Sequence, residues 1–251
     1  MTGWLARLFG RAPAPSDAPL IYAVGDVHGR RDLLRELIDI IHEDREGRPT
    51  EVIFLGDYID LGPDSSCVID DLMRRRGMDG VKSLCLMGNH EATMLGFLDG
   101  EEKGLSWAEH GGLDTLASYG VRPPARRTDP AAWSETRAAL AEAVPQEHLD
   151  FMRAMPMITR RGGYLFVHAG IDPKRPLDEQ GEREFLWIRK PFHKAAKNLE
   201  FTVVHGHSAN LKPVLTRDRI CVDTGAYTTG ELTAVRLGDK RPRFVSTKGR
   251  R

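Results

Sequence analysis

Five short stretches hold most of the side chains able to do chemistry. GDVHG carries Asp26 and His28, GDYIDLGPDS carries Asp57 and Asp60, and GNHE carries Asn89 and His90. Further along stand His168-Ala169-Gly170 and His205-Gly206-His207. Aspartate, asparagine and histidine without cysteine supply oxygen and imidazole nitrogen, a donor set suited to Mn²⁺, Fe or Zn²⁺. Imidazole argues against an ordinary Mg²⁺ or Ca²⁺ cage. There are enough donors for two ions sharing a carboxylate, and Asp57 is the natural bridge. Two such ions ~3.5–4 Å apart can hold a hydroxide and clamp an in-line displacement at phosphorus.

Any one of these stretches alone has a blander reading. An isolated Asp-x-His is more often a hydrogen-bonded turn, Asn89 could cap a helix, and a lone His168 could be a satisfied core histidine. What joins them is position. Each follows an apolar run of buried-strand length: Leu20–Val24, Glu51–Leu55, Val81–Met87, Tyr164–Val167 and Thr202–Val204. Ligands collect at the carboxyl ends of strands in open α/β sheets, so the five turns are expected to converge.

Between the strands, Leu33, Leu34, Leu37, Ile38 and Ile41 recur with helical spacing, predicting a helix over Arg30–Glu43. Val68–Arg76 and the residues after GNHE read the same way. This alternation indicates βαβ units and a largely parallel sheet. The middle, about 105–155, is helical in pattern and reads as a cap inserted between two halves of the fold. Later strands, including Pro213–Thr216, Arg219–Val222 and Leu232–Leu237, have short connections and suggest antiparallel pairing. The domain reading is a tail and linker over 1–19, then one domain over 20–251.

The 251 residues carry 36 basic and 36 acidic side chains, so net charge is zero and a general nucleic-acid binder is not expected. Arg74-Arg75-Arg76 reads as the solvated end of a surface helix. Three scattered cysteines make neither a disulfide framework nor a thiolate zinc site, and a reducing cytoplasm is the expected compartment. No apolar run reaches the ~20 residues of a membrane-spanning helix. Trp4, Leu5, Leu8 and Phe9 would share a helical face able to touch a membrane surface or partner, although a frayed tail is the simpler reading.

In this order the motifs resemble the metallophosphatase superfamily, most closely its phosphoprotein phosphatase branch in the bacterial serine/threonine form. The resemblance runs from about Leu20 to Leu237 and includes Leu186-Trp187-Ile188-Arg189 and Asp223-Thr224-Gly225-Ala226-Tyr227. It implies an α/β calcineurin-like fold: two mixed sheets in a sandwich flanked by helices, with a dimetal site at the loop end. It also implies two divalent ions, Mn²⁺ being the expected pair and Fe or Zn²⁺ the alternatives. Asp26 and His28 would bind the first ion, Asp57 would bridge, and Asn89, His168 and His207 would complete the second. His90 would be the general acid, oriented by Asp60; His205 has no assigned role.

One residue departs from the pattern. Members usually have an arginine where Leu61 stands, and leucine offers phosphate neither charge nor donor. Arg189 resembles a second phosphate-contacting arginine, and Arg30 lies close to the first motif; both are expected to supply the remaining positive charge. The expected activity is a phosphomonoesterase acting on phosphoserine or phosphothreonine proteins, or on smaller phosphoesters. The alternatives are a dinucleoside polyphosphate hydrolase, and a weakened member that binds phosphorylated partners without turnover. Oligomeric state is not legible.

Overall fold

The computed structural model describes residues 19–74, 80–100, 103–195 and 199–250. The N-terminal tail with Trp4, and Arg75 and Arg76 of the basic triplet, lie outside them. The chain begins with β1 (Leu20–Val24), α1 (Arg31–Asp44), β2 (Thr50–Phe54), α2 (Ser65–Arg74), β3 (Val81–Cys85) and α3 (Asn89–Asp99). A helical segment follows: α4 (Gly104–Trp107), α5 (Leu113–Ser118), α6 (Pro130–Ala143) and α7 (Gln146–Arg153). Then come β4 (Ile158–Arg161), β5 (Tyr164–Val167), α8 (Glu182–Trp187), α9 (Lys190–Ala195), β6 (Thr202–His205), β7 (Val214–Leu215) and β8 (Arg219–Cys221). The short α10 (Ala226–Thr229) leads to β9 (Thr233–Leu237), β10 (Arg243–Ser246) and β11 (Gly249–Arg250).

The strands form two sheets, ordered β11-β10-β9-β1-β2-β3 and β4-β5-β6-β8-β7. Successive side chains of a strand face opposite sides. Ala23, Ile53 and Leu55 of the first sheet therefore meet Phe166, Val204 and Ile220 of the second in one buried layer. Their neighbours Tyr22, Val24, Val52 and Phe54 turn the other way, into the helices. Burial on both faces is why these strands read as continuous apolar runs. On the far side of the second sheet, Leu165, Val167 and Val203 pack with Phe185 and Phe192 of α8 and α9.

The second half is largely antiparallel, as expected, with β9 pairing antiparallel to both β1 and β10 and β7 to β8, but the middle of the second sheet departs from it. β5, β6 and β8 run parallel, and only the flanking β4 and β7 pair antiparallel in this sheet. The β5–β6 connection includes α8 and α9, long enough for the crossover that parallel pairing needs. With β1, β2 and β3 also parallel, the parallel strands of each sheet end at one edge, next to the motifs.

Candidate active site

The five turns are bonded to one another. Val27 and His28 donate their N–H groups to Asp57 O at 2.9 Å each, and Gly206 N–H donates to His168 O at 2.8 Å. His207 N–H donates to both Asp26 oxygens, at 3.1 and 3.0 Å. Gly56 has φ +103°, and a Cβ there would sit 2.6 Å from Gly88 Cα, so the second and third turns meet through glycine. Six non-glycine residues among those described have left-handed backbone, and five lie in this cluster: His28, Asp57, Asp60, Leu61 and His207. Side chains resist that conformation, and such strain persists where surrounding bonds over-determine it.

Asp57 occupies the middle. Its Oδ1 accepts the His90 N–H at 3.1 Å, which leaves Oδ2 to the imidazoles. Nε2 of His168, His28 and His90 lie 3.3, 3.7 and 3.9 Å from Oδ2. Ligand atoms of His28, Asp57 and His90 form one group compact enough for a metal ion, and those of Asp57, His168 and His207 form another; Asp57 belongs to both. Carbonyls orient the rings. His28 Nδ1 lies 3.0 Å from Ile59 O and His168 Nδ1 lies 2.9 Å from Leu55 O, so each donates there and turns its Nε2 to the centre. His168 Nε2 then faces Asn89 Oδ1 at 2.8 Å and His207 Nδ1 at 3.2 Å, so potential ligand atoms crowd around one point.

The electrostatics have the same sense. Burial and the Asp223 and Asp57 charges push the Asp26 carboxyl well above the usual range. Burial and the Asp57 charge push Asp223 up to about 6 and Glu91 up to about 7. Asp57 alone goes the other way: burial opposes it, but the charges of His168 and His90 hold it well below. Burial and the His168 charge bring His207 down to about 3, so it is a neutral base at ordinary pH. Carboxyls held above their usual range by burial and neighbouring acids, packed against imidazole nitrogens, suit divalent cations.

His90 stands beside this centre. Its Nδ1 is 2.7 Å from Asp60 Oδ2, which also accepts the Trp107 indole N–H at 2.9 Å. Asp60 Oδ1 accepts from Thr115 Oγ1 at 2.5 Å. Trp107 and Thr115 both belong to the helical segment, and a break over Ala108–Gly112, with Gly111 at φ +103°, separates their helices.

The other candidates are distributed unevenly. Arg30 spends its guanidinium on Asp32, at 2.8 and 2.6 Å, and on Ala226 O at 3.2 Å. Arg189 is exposed, and its charge reaches His207 and Asp223. Leu61 packs against Gly111, whose carbonyl accepts the Leu61 N–H at 3.2 Å. His205 is fully buried; its Nδ1 donates to Gly206 O at 2.9 Å, and its Nε2 faces the Arg219 guanidinium at 3.2 Å.

Glu91 had no role in the sequence reading. Its buried carboxylate accepts four backbone N–H groups, from Gly88, Asp57, Tyr58 and Ile59, at 2.7–3.2 Å, clamping GNHE to GDYID. A glutamate three residues into a helix signals a capping box, but nothing local signals the reach across to Asp57.

Two packed mixed sheets, a donor cluster at the strand ends and a carboxylate-held histidine beside it define a metallophosphoesterase. The chain belongs to the calcineurin-like phosphoesterase family, which it matches over residues 19–237. A relative from Methylococcus capsulatus, named a symmetrical bis(5'-nucleosyl)-tetraphosphatase, is 31% identical over 90% of this chain and 94% of its own. An asymmetrical bis(5'-nucleosyl)-tetraphosphatase from Oceanobacillus iheyensis is 24% identical, covering 90% and 91%. Among solved structures, one provisionally described as a diadenosine tetraphosphatase superposes with TM-score 0.64 at 22% identity, covering 94% and 96%. A cold-active protein-tyrosine phosphatase of a Shewanella species gives 0.60 at 18%, covering 95% and 82%. At those identities the superpositions speak for the fold.

Proposed function

We propose that the protein is a metal-dependent hydrolase of dinucleoside polyphosphates, acting at a phosphoanhydride bond. The supporting observation is the Asp57-centred donor cluster, in a chain aligning nearly end to end with a relative named for that activity. Residues 20–251 act as one domain, with the helical segment as its cap. Asp26, His28 and Asp57 would hold one divalent ion, and Asp57, Asn89, His168 and His207 the other. When bound, such a pair lowers the pKa of water and orients it for attack at phosphorus. His90 donates its proton to the departing oxygen as the P–O bond breaks, and Asp60 holds the ring at the angle required. Arg189, exposed and in electrostatic reach of the centre, steadies the phosphate chain. Arg30, already paired with Asp32, contributes its charge from further away.

A second reading, hydrolysis of phosphoserine or phosphothreonine, keeps a specific support. A carboxylate-braced acid suits an alkoxide, which leaves poorly without a proton. Purified protein with Mn²⁺ would be offered diadenosine tetraphosphate and a phosphothreonine peptide. The expected result is a kcat/KM at least about tenfold higher on the dinucleotide, a 1.4 kcal/mol difference in barrier. Two ADP would indicate symmetrical cleavage, and AMP with ATP asymmetrical. Preference for the peptide would replace the first reading by the second.

A further inference from the structure

A cleft of about 330 Å³ opens in the helical segment, near the end of α3, the start of α4 and the first turns of α6. It shares no residue with the metal centre. Its wall is mainly apolar and includes Phe97 and the Trp133 indole, while Lys103, Arg127 and Arg137 come to it from three different segments. Among the described residues none of these three cations is in an ion pair, whereas nearby Arg153 is closed by Asp99 at 2.7 Å. The neighbouring Asp129 carboxylate is turned onto the Ala131 N–H, as the cap of α6. The Trp133 indole N–H donates to Arg127 O at 2.7 Å, fixing the arginine's loop against the ring.

Like charges gathered on a low-dielectric wall repel one another and focus a positive potential, which an anion relieves. A bare phosphate would leave most of the cleft empty and its apolar wall uncovered. The volume instead lies at the small end of ordinary ligand pockets, ~300–1,000 Å³, which pair apolar walls with a few placed polar groups. We propose that this cleft binds a nucleoside phosphate, its phosphates among Lys103, Arg127 and Arg137 and its base along the Trp133 side. The site is two rings from the proton donor's support: Phe97 lies 6.1 Å from Trp133 and 5.2 Å from Trp107, centroid to centroid.

The test titrates full-length protein with ADP in EDTA, so that no metal anchors nucleotide at the catalytic centre, and follows tryptophan emission. A saturable change is expected, diminished in Trp133→Phe and weakened about tenfold or more in Arg127→Glu/Arg137→Glu, since both charged contacts to the phosphates are then lost. Turnover of p-nitrophenyl phosphate with Mn²⁺ should stay within about twofold of the parent, the size of effect expected of substitutions remote from the centre. If charge reversal prevents folding, Arg127→Gln/Arg137→Gln is measured in its place. Absence of a saturable change, equal affinity in the charge variants, or pyrophosphate binding as tightly as ADP would overturn the assignment. ADP binding and p-nitrophenyl phosphate turnover depend on different residues, so this site and the proposed reaction can fail separately.

Discussion

Asp60 Oδ2 lies 2.7 Å from His90 Nδ1, and nothing else in the centre fixes the imidazole's direction as firmly. Burial alone would lower the His90 pKa, but the charge of Asp57 and the hydrogen bond to Asp60 raise it to about 9. An acid must carry its proton, so its contribution is present below that value and lost as pH rises through it. For phenyl phosphate, kcat/KM should fall on an alkaline limb, and Asp60→Asn should move that limb to lower pH while costing ~10²-fold or more. The better leaving group of p-nitrophenyl phosphate should show less of both. Identical losses on the two esters would remove His90 from the acid role.

The Glu91 clamp leads to a separate expectation. Glu91→Gln keeps the shape but turns an amide NH₂ toward backbone donors, leaving buried N–H groups unpaired at ~1–3 kcal/mol each. Thermal unfolding should shift down, and Mn²⁺ should bind about tenfold more weakly, because Asp57 loses its backbone support. Unchanged Mn²⁺ affinity by calorimetry would make Glu91 a fold residue without influence on the centre.

At Leu61 the outcome is a gain. Leu61→Arg would add a guanidinium next to Asp60, on a backbone already left-handed at φ +66°. If the position faces phosphate, kcat/KM on diadenosine tetraphosphate should rise about tenfold, within the ~1.5–3 kcal/mol of one charged hydrogen bond. No change would mean that the side chain points elsewhere or that phosphate grip does not limit the rate.

Away from the site, Asp71 of α2 takes paired hydrogen bonds from Arg31 and Arg35 of α1, with nearest contacts of 2.9 and 2.7 Å. Burial opposes its ionisation, but the hydrogen bonds from Arg35 and Arg31 hold its carboxyl well below the usual range. A depressed carboxyl pKa stabilises the fold above the unfolded value, ~3.9, and that contribution fades as pH falls below it toward the folded value. Asp71→Asn should cost ~1 kcal/mol at pH 7, kept small because Arg35 is half exposed. The difference should shrink in urea titrations below about pH 4. A constant difference across that range would assign the effect to packing.

Much of the site was readable because its turns follow strands with both faces buried, so apolar runs marked their own ends. Val24, Leu55 and Val167 each stop where donor residues begin. The parallel pairing of β5, β6 and β8 was not readable, because short strands say nothing of the direction from which their crossovers return. Trp107 and Thr115 were equally hidden as partners of Asp60. Their role depends on how the break at His110–Gly111 angles two short helices, and no local periodicity encodes that angle. The motifs resemble the phosphoprotein phosphatase branch, whereas whole-chain similarity favours the dinucleotide alternative.

Trp107 holds Asp60 from the helical segment, while the groups gathered around Asp57 come from the strand ends. The two duties of the centre are therefore separable by inheritance. Under the proposed function, changes in the helices would grade the speed of turnover while the turns around Asp57 stay intact, so a lineage would turn slow, selective or silent before its donor cluster is lost.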